Sequence, residues 1–192
     1  MERKVNSKLL YKGRNFRFLT DRVKLPNGLL TTRDTVDHPG AVAIIPILSD
    51  GRIILVRQYR YAIERKLMEI PAGTIEKEEE PLDCAIRELR EETGYEAGRI
   101  EKFMECFIAP GYSNELIQFY VATELKRLPA RNAPDEEITI YKIGVKEATR
   151  MINENIIKDA KTIAGLLTYL HIYSNQNQID VVTMEETCRK NK

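Results

Sequence analysis

The pattern of apolar and polar positions divides the chain into a β-rich front and a helical back. The stretch "NFRFLTDRVKL" alternates in part, "PNG" supplies a turn and "LLTTRDTVDH" continues with β-formers, so the first forty residues read as strands built around a hairpin. Two continuous β-branched runs, "GAVAIIPIL" and "GRIILVRQY", are separated by the turn-forming "SDG" and predict a second strand pair lying in the core. A short strand in "KLMEIPAG" is stopped by Pro71 and Gly73. The segments "RIEKFMECF" and "LIQFYVATEL" flank the loop "IAPGYSNE", and "EEITIYKI" follows the loop "PARNAPD" as the last strand. From Val145 onward the period becomes helical: Val145, Ala148, Met151 and Ile152, then Ile163, Leu166, Leu167 and Leu170, recur at three- and four-residue steps. A mixed sheet with one central helix and one or two C-terminal helices accounts for this order, an α+β architecture. The tail after Ser174 is polar and weakly patterned.

The central helix falls in the acidic stretch "AGTIEKEEEPLDCAIRELREETGY", residues 72 to 95. Pro81 suits a first helical turn, Glu79 and Glu80 suit the positive end of the helix dipole, and Gly94 suits the position just past the end. The helix is therefore expected from Pro81 to Thr93, with Leu82, Ala85, Ile86, Leu89 and Thr93 as its core stripe. Steps of about 100 degrees from Leu82 put Arg87 near 140, Glu91 near 180, Glu88 near 240 and Glu92 near 280. Three glutamates thus share one flank, where each like-charged pair costs about 0.2–0.5 kcal/mol on an isolated helix. Arg87 offsets part of that repulsion by pairing with Glu91 at i,i+4. The remainder fits either a hard divalent cation, Mg²⁺ or Mn²⁺, or a solvated acidic face; charge clustering alone leaves both open.

Composition narrows the function classes. Thirty Lys and Arg against twenty-nine Asp and Glu leave a formal charge of +1, which offers no general basic field for a nucleic-acid backbone. The longest apolar run, "AVAIIPIL", is far short of the roughly 20 residues that cross a bilayer, and "MERKVNSKLL" has no signal-peptide core, so a cytoplasmic protein without membrane partners is expected. Cys84, Cys106 and Cys188 are too far apart for a CxxC metal site, and His38 and His171 stand alone, which disfavours zinc and His-based triads.

Gly73, five residues, Glu79, seven residues and then Arg87-Glu88-Leu89-Arg90-Glu91-Glu92-Thr93-Gly94-Tyr95 resemble the signature loop–helix–loop of the Nudix hydrolases, with Tyr95 where that family usually carries an aliphatic residue. "ERKLMEIPAG" before the signature, "APGYSNE" after it, and Pro110 sixteen residues beyond Gly94 resemble the ADP-ribose pyrophosphatase branch. The resemblance implies an α/β/α sandwich with a mixed central sheet. It also implies a division into an N-terminal antiparallel β-extension (1–40) for dimerisation and substrate contacts, a catalytic domain (41–175) and a C-terminal tail (176–192).

The same resemblance implies Mg²⁺-dependent hydrolysis of ADP-ribose to AMP and ribose 5-phosphate. Its alternatives are another nucleoside diphosphate sugar such as GDP-mannose, or a non-catalytic ligand sensor. Glu88 and Glu92 become the leading metal ligands, with Glu91 and the Ala72 carbonyl completing the set, while Gly73, Glu79 and Arg87 support the loop. The catalytic base is expected at Glu136 or Glu137. Arg33, Arg57 and Arg60 are candidates for phosphate contacts, because the guanidinium fork matches phosphate oxygens. Glu69 and Glu115 are candidates for ribose or adenine contacts, and Phe16, Phe18 or Tyr59 for stacking on the base. Relatives of this branch are commonly homodimers.

Overall fold

The computed structural model describes residues 1–129 and 138–173. The chain opens with β1 (Arg3–Lys12), β2 (Arg17–Lys24) and β3 (Leu30–Asp37), which pair antiparallel in the order β1-β2-β3. The expected hairpin is thus the β2–β3 half of a three-stranded meander. The added strand, β1, is exposed at all ten positions.

The core strands β4 (Ala41–Pro46) and β5 (Ile53–Arg60) follow, then β6 (Arg65–Glu69) and β7 (Ala72–Thr74). The expected "KLMEIPAG" strand is in fact split at Ile70 and Pro71. Its first half pairs with β5 and its second with β4, so the chain changes sheets there. The missing Pro71 N–H removes a ladder donor at the crossing point.

After α1 (Pro81–Thr93) come β8 (Tyr95–Glu96), β9 (Arg99–Phe107), β10 (Leu116–Thr123), β11 (Lys126–Arg127), β12 (Thr139–Ile143), α2 (Val145–Asn153) and a last helix, α3, described over residues 160–173. One sheet has the order β7-β4-β10-β9, the other β12-β5-β6, and β8 pairs with β11. The β4–β10 ladder is parallel and its neighbours are antiparallel, so the sheet is mixed.

Every residue of β4 is buried, as expected of a strand covered on both faces. Its side chains alternate between two clusters. Ala41, Ala43 and Ile45 join Ile53, Leu55, Phe119, Met151, Ile157 and Leu166, whereas Val42 and Ile44 join Cys84, Ala85 and Leu89 of α1. Helices on both faces of the sheet make the α/β/α layering. On α3, Leu166 is buried but Leu167 is 44% exposed, a correction to the stripe expected from spacing. Gly165 fits where a Cβ would press to 3.0 Å from the Phe119 ring.

The extension is tied to the body through the loop before β10. The Val36 amide donates to the Tyr112 carbonyl at 2.7 Å, and the His38 amide donates to Asn114 Oδ1, also at 2.7 Å. A cleft of about 340 Å³ between them is lined by Lys4, Asp21, Asp37, Pro110 and Asn114.

Candidate active site

Helix α1 begins and ends at the residues its sequence specifies. Pro81 opens it, and Gly94 closes it in the left-handed region at φ 70°, donating to the Arg90 carbonyl at 2.9 Å. Its buried arc differs from the expected stripe. Cys84, Ala85, Leu89, Glu92 and Thr93 are buried, while Leu82, on the first turn, is 43% exposed. The arc is rotated toward the glutamate flank because β4 and β7 lie on that side. Glu92 and Glu88 therefore face into the protein, and Glu91 stays outside.

Glu92 is only 8% exposed. One carboxylate oxygen accepts the Ala72 amide at 3.0 Å, and the other accepts the Gln58 side-chain amide at 3.4 Å. Burial dominates: it pushes the Glu92 carboxyl up to about 8, with the Glu88 charge adding to the rise and the Ala72 amide opposing it. Glu88 is also raised, again chiefly by burial, although Arg87 pulls the other way. Two desolvated carboxylates on adjacent turns thus lack full compensation from the protein.

Gly73 explains how Glu88 fits beside β7. A Cβ on residue 73 would lie 1.8 Å from Glu88 Oε1, so only glycine lets the carboxylate rest against that strand.

Arg87 is the hub of the outer side. Its Nε and Nη2 donate to the two oxygens of Glu79 at 2.8 and 3.0 Å, and Nη1 donates to Glu88 at 2.6 Å and to Glu91 at 3.1 Å. Glu79 also accepts the Glu76 amide at 2.9 Å. The Arg87 guanidinium, first of all, holds the Glu79 carboxyl down to about 2. Beneath them the Cys84 thiol is pushed up to about 12, mainly by burial, and is an inert packing group at neutral pH. Glu76, Glu78 and Glu80 are solvated.

Arg60 and Glu69 stand together at the adjoining strand ends. Arg60 Nε and Nη2 donate to the two Glu69 oxygens at 2.8 and 2.7 Å, and Lys161 of α3 donates to the same carboxylate. Glu69 is 1% exposed, and both of its oxygens already accept hydrogen bonds in this geometry. The remaining candidates lie apart from this cluster. Arg33 pairs with Glu2 at the surface of the extension, Arg57 and Tyr59 are exposed on β5, and Glu115 lies 4.0 Å from His38. Phe16 and Phe18 are exposed on the extension. Glu136 and Glu137 lie outside the described residues.

Two contributors escaped the sequence reading. Gln58 alternates with Arg57 and Tyr59 on β5, and a polar residue on the inward parity of a core strand was the available signal. The Lys161 contact comes from ninety-two residues away in sequence, beyond any local pattern.

Among the described residues no three His, Cys, Asp or Glu side chains already converge as an ion cage. Yet the donor set fits a hard cation. Glu88 and Glu92 are oxygen ligands whose charge is undercompensated, and the Gly73 cradle holds one of them against the strand that binds the other. Two carboxylates on adjacent turns of a helix set against a mixed sheet make a donor pair of the class suited to a hard divalent cation, which could polarise an oxygen or activate a water.

Comparison with known proteins gives the family. The NUDIX domain pattern matches residues 37–164. The ADP-ribose pyrophosphatase of Bacillus subtilis is 35% identical over 89% of this chain and 93% of its own length. The methanol dehydrogenase activator of Bacillus methanolicus is 40% identical over 86% and 90%, and a GDP-mannose pyrophosphatase of Citrobacter koseri 34% over 69% and 73%. The solved structure of an ADP compounds hydrolase superposes with a TM-score of 0.79 at 20% identity, covering 91% of this chain and 95% of that one, which shows the shared fold. The chain belongs to the Nudix family and is a Nudix hydrolase, an enzyme class that generally needs divalent metal ions. No helix among the described residues is long and apolar enough to cross a membrane.

Proposed function

We propose that this enzyme hydrolyses the diphosphate of ADP-ribose, releasing AMP and ribose 5-phosphate, with Mg²⁺ as its cation and Mn²⁺ as a substitute. The observation that carries the reading is the pair of a buried Glu92 and a partly buried Glu88 beside Gly73 and the Ala72 amide, in a chain similar over most of its length to an ADP-ribose pyrophosphatase.

Glu88 and Glu92, with Glu91 and the Ala72 carbonyl, would hold the cations. Cations held by these residues would supply charge neutralisation of the diphosphate oxygens and a lowered pKa for the attacking water. Glu92 is fixed for this task by the Ala72 and Gln58 donors. Arg87 holds Glu88 and Glu91 on one side and is itself clamped by Glu79, which supports the carboxylate geometry that the cations need. Arg60 is positioned by Glu69 to meet a phosphate oxygen, and Arg57, exposed on the opposite parity of β5, is a candidate for a contact with a more distant phosphate. Glu136 or Glu137 takes the proton from water.

The extension, residues 1–40, serves dimerisation and substrate contacts through Arg33, Phe16 and Phe18, while residues 41–175 carry catalysis and 176–192 form a tail. Glu115 contacts the ribose or the base. Exposed Val5, Leu9, Leu10 and Tyr11 on β1 support a homodimer. The enzyme acts in the cytoplasm on a small molecule, without nucleic-acid or membrane partners. A second substrate reading, GDP-mannose, is supported by the similarity to a GDP-mannose pyrophosphatase.

Incubating purified protein and Mg²⁺ with ADP-ribose, GDP-mannose, diadenosine polyphosphates and nucleoside triphosphates decides among these. AMP and ribose 5-phosphate formed with the highest kcat/KM is the expected result. Faster turnover of another substrate overturns the ADP-ribose assignment, and no turnover of any of them overturns the enzymatic one.

A further inference from the structure

We infer that Asp159, Lys161 and Thr162, at the start of α3, form a latch that positions the active site by fixing the Glu69–Ala72 strand end from below. Thr162 is fully buried. Its hydroxyl donates to Asp159 Oδ2 at 2.5 Å and accepts the Ile70 amide at 2.9 Å. A hydroxyl has one proton to give, so committing it to Asp159 turns a lone pair toward Ile70. Asp159 Oδ2 also accepts the Thr162 amide at 3.0 Å, the contact of a helix N-cap, and lies 3.0 Å from Lys161 Nζ. Lys161 reaches on to Glu69, where it shares the carboxylate with Arg60.

The latched segment leads straight into the site. Ile70 receives the latch, Pro71 stiffens the step, and Ala72 donates to Glu92. Glu69 in the same segment orients Arg60. One helix start therefore controls both a donor to the Glu92 carboxylate and the direction of a guanidinium. Apolar residues of similar volume would pack the same junction at least as stably, because buried ion pairs lose in desolvation much of what they gain in attraction. What the polar set adds is direction. These are positioning residues, since none of the three touches Glu88 or Glu92.

This inference rests on Glu92 holding cations, and its test separates the two. Thr162→Val keeps the shape and removes the hydroxyl, Thr162→Ser keeps the hydroxyl and loses a methyl, and Lys161→Met removes the charge. Each variant is measured for kcat and KM with ADP-ribose and Mg²⁺, for Tm, and for amide exchange at Ile70 and Ala72 by NMR in the metal-free protein. Thr162→Val is expected to lower kcat at least tenfold with KM within about threefold, and to speed exchange at both amides at least tenfold. Thr162→Ser should stay within threefold of wild type in both readouts, and Lys161→Met should fall between the two.

Equal loss of kcat in the Val and Ser variants, or a lower Tm with unchanged kcat and unchanged amide exchange, overturns the latch. Should the wild type hydrolyse nothing, the functional reading falls while the exchange data still decide the latch: faster exchange in Thr162→Val alone upholds it, and equal exchange in both variants overturns it. Should Thr162→Val not fold, Lys161→Met and Thr162→Ser carry the decision by the same criteria.

Discussion

Strands β1 and β4 differ in composition and meet opposite fates: β1, "RKVNSKLLYK", mixes four apolar residues with four Lys and Arg, whereas β4, "AVAIIP", is apolar throughout. All six residues of β4 are buried between α1 on one face and α2 and α3 on the other, while all ten of β1 are exposed, including Val5, Leu9, Leu10 and Tyr11. The body of the molecule covers its own core strand, and the charged residues buried in it, Glu69 and Glu92, both accept hydrogen bonds. The extension does not: Val23 of β2 is buried, but among the described residues no layer covers β1, and its apolar side chains stay in water. The contrast teaches where each proposed role would sit: the cation-binding carboxylates lie in the covered body and the exposed apolar side chains in the extension. Changes at the carboxylates should alter chemistry without altering assembly.

The largest effect belongs to the buried carboxylates. Glu92→Gln keeps the shape of the side chain and removes its charge, so it is expected to lower kcat for ADP-ribose by more than about a hundredfold, since even outer partners of ligands are worth 10–100-fold. Chelating divalent ions from the wild type should match that loss, with activity regained on adding Mg²⁺. Gly73→Ala comes next. Its Cβ would overlap the Glu88 carboxylate, and because that group ends a flexible side chain the fold should yield by moving Glu88. A fall of about 10–100-fold in activity with little change in Tm is the expected outcome. Activity close to wild type would show that the cradle is dispensable.

On the extension, the proposed dimer predicts a wild-type mass in sedimentation of twice the 22.2 kDa chain, and Leu9→Lys with Tyr11→Lys should convert it to monomer without unfolding the core. Unchanged mass would place the assembly surface elsewhere.

The smallest effect is at Glu79. Arg87 lowers its pKa, so the protein gains stability from this group above the ordinary carboxylate range and loses it as pH falls toward about 2. Glu79→Gln should therefore lower Tm at pH 7 by roughly 3 °C, about 1 kcal/mol after solvent screening, with the difference vanishing at low pH. A difference that persisted at pH 2 would mean that packing, not the ion pair, is lost.

Much of this was legible in the sequence, where local rules suffice. Pro81 and Gly94 bounded α1, and the two continuous apolar runs marked β4 and β5 as core strands. The buried arc of α1 was not legible. Periodicity gives a stripe, but the strands that happen to lie against the helix select which side of it is sealed, and they chose the side holding Glu88 and Glu92 at the expense of Leu82. Strand β1 was missed as a separate element because "RKVNSKLLYK" does not alternate cleanly, and among the described residues nothing buries it. The split at Ile70 and Pro71 follows from which strand each half pairs with, a tertiary fact. The latch from α3 depends on residues joined only by the fold.

The proposed hydrolysis requires that Glu88 and Glu92 hold divalent cations. Titrating Mn²⁺ into wild type, Glu88→Gln and Glu92→Gln and following the free-ion signal by electron paramagnetic resonance tests it most directly. Wild type should remove Mn²⁺ from solution, with the affinity reduced at least tenfold in each variant and Mg²⁺ competing for the same sites. Equal Mn²⁺ binding by all three proteins would contradict it.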